Sequence, residues 1–121
     1  MREVCYLVGA SGCVLWSDAG TSPAALPDSR ARWEAIWSRR DELVEIAHSH
    51  PVGPLGFSYE DETTMAALAA ALGRAPRFSV VAPIGMLARI DGRDVPVADE
   101  PPWADELRRE SGMAGREAPA K

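Results

Sequence analysis

Leu43-Val44-Glu45-Ile46-Ala47-His48-Ser49-His50-Pro51, followed after Val52–Phe57 by Ser58-Tyr59-Glu60-Asp61, is the stretch on which the reading of this chain turns. Leu43–Ala47 reads as a strand running into the histidines. Successive side chains of a strand leave opposite faces, so His48 and His50 project together and Ser49 points away from them, a structural residue. Glu45 has the opposite parity to the two histidines and should face elsewhere. Ser58-x-x-Asp61 fits a helix-capping pattern, with Asp61 in the first turn, where a carboxylate can face the histidines across the loop. That loop, Pro51–Phe57, holds two prolines and two glycines, which stiffen it while permitting unusual backbone angles. Two imidazole nitrogens and one hard oxygen, with a fourth position open, make the ligand set of a catalytic zinc ion. The two histidines of the chain both lie here.

The pattern H-x-H, seven residues, S-x-x-D resembles the signature of the JAMM (JAB/MPN+) zinc metalloproteases, with His48, Ser49, His50, Pro51, Ser58 and Asp61 at the matching positions. That signature also has an upstream glutamate at the start of a strand reading roughly E-x-C-G-x-L-x-G. Here Glu3-Val4-Cys5-Tyr6-Leu7-Val8-Gly9 matches at Glu3, Cys5, Leu7 and Gly9 and departs at Tyr6, where a glycine is usual. The resemblance spans roughly residues 3 to 97. It implies an α/β (α+β) domain of the cytidine-deaminase-like MPN/JAB type over residues 1–98, a central mixed sheet of about six strands flanked by two main helices, and a prokaryotic-type minimal member. It further implies one Zn2+ held by His48, His50 and Asp61, Glu3 as the general base, and Ser58 as a hydrogen-bond donor to the oxyanion. The activity implied is that of a deubiquitinase-like peptidase or isopeptidase, cutting the amide after the C-terminal tail of a ubiquitin-like or sulfur-carrier protein.

At 121 residues the chain is one domain with a single core. A net charge of −5 is too acidic to follow a phosphate backbone, so nucleic acid is not an expected partner. Arg30, Arg32, Arg39 and Arg40 are diluted by Glu34, Asp41 and Glu42 and read as a solvated helix face. Cys5 and Cys13 can face each other across a hairpin, but two cysteines make no secreted disulfide framework, and both read as reduced thiols. The apolar run Val4–Ala10 is too short for a signal peptide and nothing is long enough to span a bilayer, so a cytoplasmic protein is expected.

In chain order, Val4–Val8 and Cys13–Trp16 read as a hairpin, Ser17–Pro27 as a loop, and Arg30–Arg40 as a helix capped by Asp28 or Ser29. Trp33, Ile36 and Trp37 form that helix's apolar stripe, facing the core. Thr63–Leu72 carries Met65, Leu68, Ala69 and Leu72 at helical spacing and ends at Gly73. Phe78–Pro83, Met86–Ile90 and Val95–Val97 read as strands, the last two separated by an Asp91-Gly92 turn. Residues 99–121 read as a partly flexible tail with a short helix at 103–109, whose Trp103 and Leu107 either fold back or meet a partner. Two alternatives to the peptidase stand beside it: a non-catalytic MPN-type scaffold that binds a partner, and a zinc hydrolase of another small amide.

Overall fold

The computed structural model describes residues 1–116. Six strands form one sheet in the order β2-β1-β3-β4-β5-β6: β1 (Val4–Gly9), β2 (Val14–Ala19), β3 (Leu43–Ser49), β4 (Arg77–Ala82), β5 (Gly85–Ile90) and β6 (Arg93–Pro96). Only β3 and β4 run parallel; every other neighbouring pair is antiparallel and closed by a short connection or by β1 lying between β2 and β3. A parallel pair needs a crossover, and α2 (Tyr59–Leu72) supplies it. Both β1 and β3 are nearly continuous in buried residues, as expected of strands covered on two faces. The mixed α/β sheet of the expected strand number is present, flanked by α1 and α2, with a third helix over the stretch where a short one was expected.

Each helix starts and stops where its side chains dictate. Ser29 caps α1 (Arg30–Ser38) by accepting the Arg32 N–H. Ser58 and Asp61 form a reciprocal capping box at α2, and Gly73 closes that helix at φ +71°, a left-handed conformation that glycine adopts without a Cβ clash. Asp91 and Gly92 both take positive φ in the β5–β6 turn, the backbone a two-residue hairpin requires. The helix α1 and α2 face packs Ile36, Met65 and Leu68 onto Cys5, Leu7, Ile46 and Phe78. The opposite sheet face packs Tyr6, Val8, Ala47 and Val81 against α3 (Pro102–Glu110).

Five expectations change. Residues 99–121 are no appendage as far as they are described: Trp103, Ala104 and Leu107 are core, and Met113 is buried. The fully buried Arg108 donates to the carbonyls of Ala82 (2.9 Å) and Gly85 (3.1 Å) and to Glu100 and Asp105, tying α3 to the β4–β5 turn. The domain therefore extends through α3, and the flexible end expected beyond it falls partly on residues 117–121, outside the described residues. Strand β2 runs to Ala19 because β1 pairs with it from Val8↔Val14 to Val4↔Ala19, so Ser17 and Asp18 are strand, not loop. That register sets Cys5 opposite Asp18, and the two cysteines do not face each other. Trp37 leaves the stripe: it is half exposed, with the Arg40 guanidinium 4.2 Å above its ring. Arg32, expected in solvent, folds under to make a paired contact with Asp18 at 2.8 Å.

Candidate metal centre

β3 ends in the middle of the sheet, with His48 flanked by Cys5 of β1 and Val80 of β4. The next turn of chain stays pinned because the His50 N–H donates to the Val81 carbonyl (2.8 Å). Strand parity sends both imidazoles to the α1/α2 side and Ser49 to the α3 side. There Ser49 is fully buried, accepting the Val4 N–H (2.9 Å) and sharing a 2.6 Å hydrogen bond with Ser111. Glu45 shares that side too, bonded to Ser79 and 3.3 Å from Arg77, away from the site as its parity requires.

Three atoms converge. His48 Nε2 and His50 Nε2 are 3.0 Å apart, and Asp61 Oδ2 lies 3.1 Å from the first and 3.2 Å from the second. Tetrahedral zinc with ligand bonds of about 2.0–2.1 Å has ligand–ligand edges of about 3.3 Å, so opening this triangle by a few tenths of an ångström would admit the ion. His50 Nδ1 sits 3.1 Å from the Pro54 carbonyl. A carbonyl only accepts, so Nδ1 carries a proton, and whenever the ring is neutral its Nε2 lone pair faces inward, the orienting device common behind metal-bound histidines.

Asp61 serves the helix and the site together. Its Oδ2 accepts the Ser58 N–H at 2.8 Å, while Ser58 Oγ accepts the Asp61 N–H at 3.1 Å. Burial works to raise the Asp61 pKa, but the hydrogen bonds from His48 and His50 outweigh it and hold the carboxyl well below the usual carboxylate range. At His50 burial opposes the charged ring, yet the bonds to Asp61 and Pro54 prevail and its pKa rises. Because the Ser58 oxygen is fixed as an acceptor, its own hydroxyl proton is left to donate elsewhere.

Glu3 stands at the threshold of β1 and is anchored on both sides. Its N–H donates to the Ser22 carbonyl (2.9 Å), its carbonyl accepts from Gly20 (2.9 Å), and the preceding Arg2 N–H reaches the Ser111 carbonyl (3.0 Å). Its carboxylate is buried, with an oxygen within 4.8 Å of a ring nitrogen of each histidine, and Glu3, His48 and His50 form a group able to hold a metal ion. Burial raises the Glu3 pKa, with His50 and then His48 pulling against it. All five residues singled out in the sequence line one cleft: Asp61 meets both histidines on one side, Glu3 approaches them on another, and Ser58 is tied to Asp61.

Other participants were invisible in the sequence pattern. Phe57 tilts towards the His48 ring at 6.2 Å and is covered by the Arg89 guanidinium at 4.9 Å, which also pairs with Glu62 and Asp94. The Pro54 carbonyl is a backbone group, and Ser111 is 62 residues from its partner Ser49; no local spacing announces either. No helix among the described residues is long and apolar enough to cross a membrane. No family model and no curated protein matches the chain.

Proposed function

We propose that this chain is a zinc-dependent amide hydrolase working in the manner of the JAMM peptidases, with a cytidine-deaminase-like MPN/JAB fold. His48, His50 and Asp61 hold the ion, and the triangle of 3.0, 3.1 and 3.2 Å between their ligand atoms is the observation that carries the reading. Zinc bound there would supply Lewis acidity and bring the ionisation of water towards neutral pH. Glu3 is the proton carrier: its buried carboxylate lies within 4.8 Å of a ring nitrogen of each histidine, close enough to take and return a proton at the same point. Ser58 contributes its free O–H to the oxygen that gains charge as the carbonyl is attacked. His50 is kept in one tautomer by Pro54, and the Ser49–Val4 bond keeps the strand bearing Glu3 in step with the strand bearing the histidines.

The substrate class supported by the resemblance is the C-terminal tail of a ubiquitin-like or sulfur-carrier protein, cleaved at a peptide or isopeptide bond. A tail of this kind can lie extended beside an exposed strand edge and gain main-chain hydrogen bonds there. The test is a metal assay with a paired variant. Purified protein should hold about one zinc per chain and lose hydrolysis of a ubiquitin-like fusion on chelation, and Glu3→Gln should keep the zinc and stop turnover. Protein that takes up no zinc at saturating supply is no hydrolase of this kind and fits a binding scaffold instead.

A further inference from the structure

The ligand triangle forms one end of a cleft of about 560 Å³, the size of a small-molecule site and many times the roughly 30 Å³ that one water occupies. Beyond the histidines it runs between α1, α2 and the sheet, walled by Trp33, Ile36, Ile46, Met65, Leu68 and Phe78. Five of these residues are buried in the core cluster of that sheet face and Trp33 packs against it, so the apolar wall of the cleft is the edge of the core itself. The polar groups along the cleft choose its guest. Arg32 is the only arginine or lysine among the described lining residues, and its guanidinium is already engaged by Asp18 (2.8–3.1 Å) and the Pro27 carbonyl (3.1 Å). Asp28 and Glu60 add negative charge at the lining. Away from the metal end, the lining side chains offer an anionic ligand no free cation and add repulsion, whereas a neutral apolar group finds walls that match it.

We propose that this cleft is a specificity pocket that takes a large apolar side chain, of leucine or phenylalanine size, from the residue adjoining the scissile amide. The proposal rests on the reading of the metal centre as hydrolytic and narrows its substrates: a tail ending in glycines alone leaves the pocket empty, while an amide flanked by a bulky apolar residue fills it. Thr64, half-buried one turn after Asp61 on α2, also lines the cleft.

Binding and turnover are read separately. With methyl-labelled methionines, N-acetyl-leucinamide and N-acetyl-phenylalaninamide should shift the Met65 signal of zinc-free protein and leave that of Met113 in place, and N-acetyl-glycinamide should shift neither. Thr64→Trp, or Ala25→Trp on the exposed rim should the first not fold, should abolish the Met65 response. An unmoved Met65, an equal response to the glycine amide, or a filled variant that responds like the parent overturns the pocket. With zinc loaded, kcat/KM should favour peptides with leucine or phenylalanine beside the cleaved bond over glycine by at least about tenfold. Equal turnover of both overturns the pocket while the hydrolase stands; Met65 shifts without any turnover support the pocket and sink the hydrolase.

Discussion

Asp61 does two things that a pair of variants can pull apart. Ser58→Ala removes the oxygen that accepts the Asp61 N–H at 3.1 Å but leaves the Asp61 carboxylate on the Ser58 N–H at 2.8 Å and facing both imidazoles. Loss of such a cap costs about 1 kcal/mol, which in a chain of this length lowers Tm by about 3–6 °C. The loss should be the same with and without zinc. Asp61→Ala removes the other half of the box and both contacts to the histidines, so the metal-free protein should lose more, about 2–3 kcal/mol. Zinc at a hundred times its Kd adds about 2.7 kcal/mol to the native state, or about 8–16 °C in Tm at the same scaling. That increment should appear in full in Ser58→Ala and be missing from Asp61→Ala at the same zinc concentration. Thermal unfolding of chelator-stripped protein across a zinc titration, with metal content measured on the same samples, reads both quantities. The reasoning is refuted if Ser58→Ala forfeits the zinc increment, or if Asp61→Ala retains it.

Three further outcomes follow from particular side chains. A thiol reagent at neutral pH should modify Cys13, which is exposed, and spare Cys5 until the protein unfolds, since burial pushes the Cys5 thiol up to about 12; mass spectrometry showing two labels on native protein would contradict this. Arg108→Met leaves Glu100 and the Ala82 and Gly85 carbonyls without their partner, a loss of about 3–5 kcal/mol readable by urea unfolding, and a change under 1 kcal/mol would mean the latch is ornamental. For Glu45, burial raises the pKa against the Ser79 hydrogen bond and Arg77. A raised carboxyl pKa means the folded state binds the proton more tightly, so its contribution to stability falls as pH rises from the ordinary glutamate value, about 4.3, through the folded one. The stability of the parent relative to Glu45→Gln should therefore decline over that window and level off above it; parallel pH curves would show that Glu45 titrates alike in both states.

What could be read in the chain and what could not divide along one physical line. His48, His50 and Ser49 were legible because strand parity is a local, period-two property, and the capping box was legible because its partners lie three residues apart. Even the two competing meanings of Ser58-x-x-Asp61 were visible, and the structure satisfies the capping meaning while leaving Asp61 Oδ2 in contact with both imidazoles. The role of 99–116 was not legible, for an identifiable reason. An arginine in a polar segment ordinarily belongs to solvent, and burying Arg108 becomes tolerable only once Glu100, Asp105 and two carbonyls from the β4–β5 turn surround it, the carbonyls 23 and 26 residues away. The same holds for Ser111, whose partner Ser49 lies between the two histidines. Removing residues 99 onward would thus take away Trp103 and Leu107 from the core, each worth about 2–5 kcal/mol against a total stability of about 5–15 kcal/mol, and would also loosen the strand ends that carry Glu3 and His50. A shortened chain that folded and bound zinc as the parent does would show that the site is held from β1, β3 and α2 alone, and that α3 is the appendage its composition suggested.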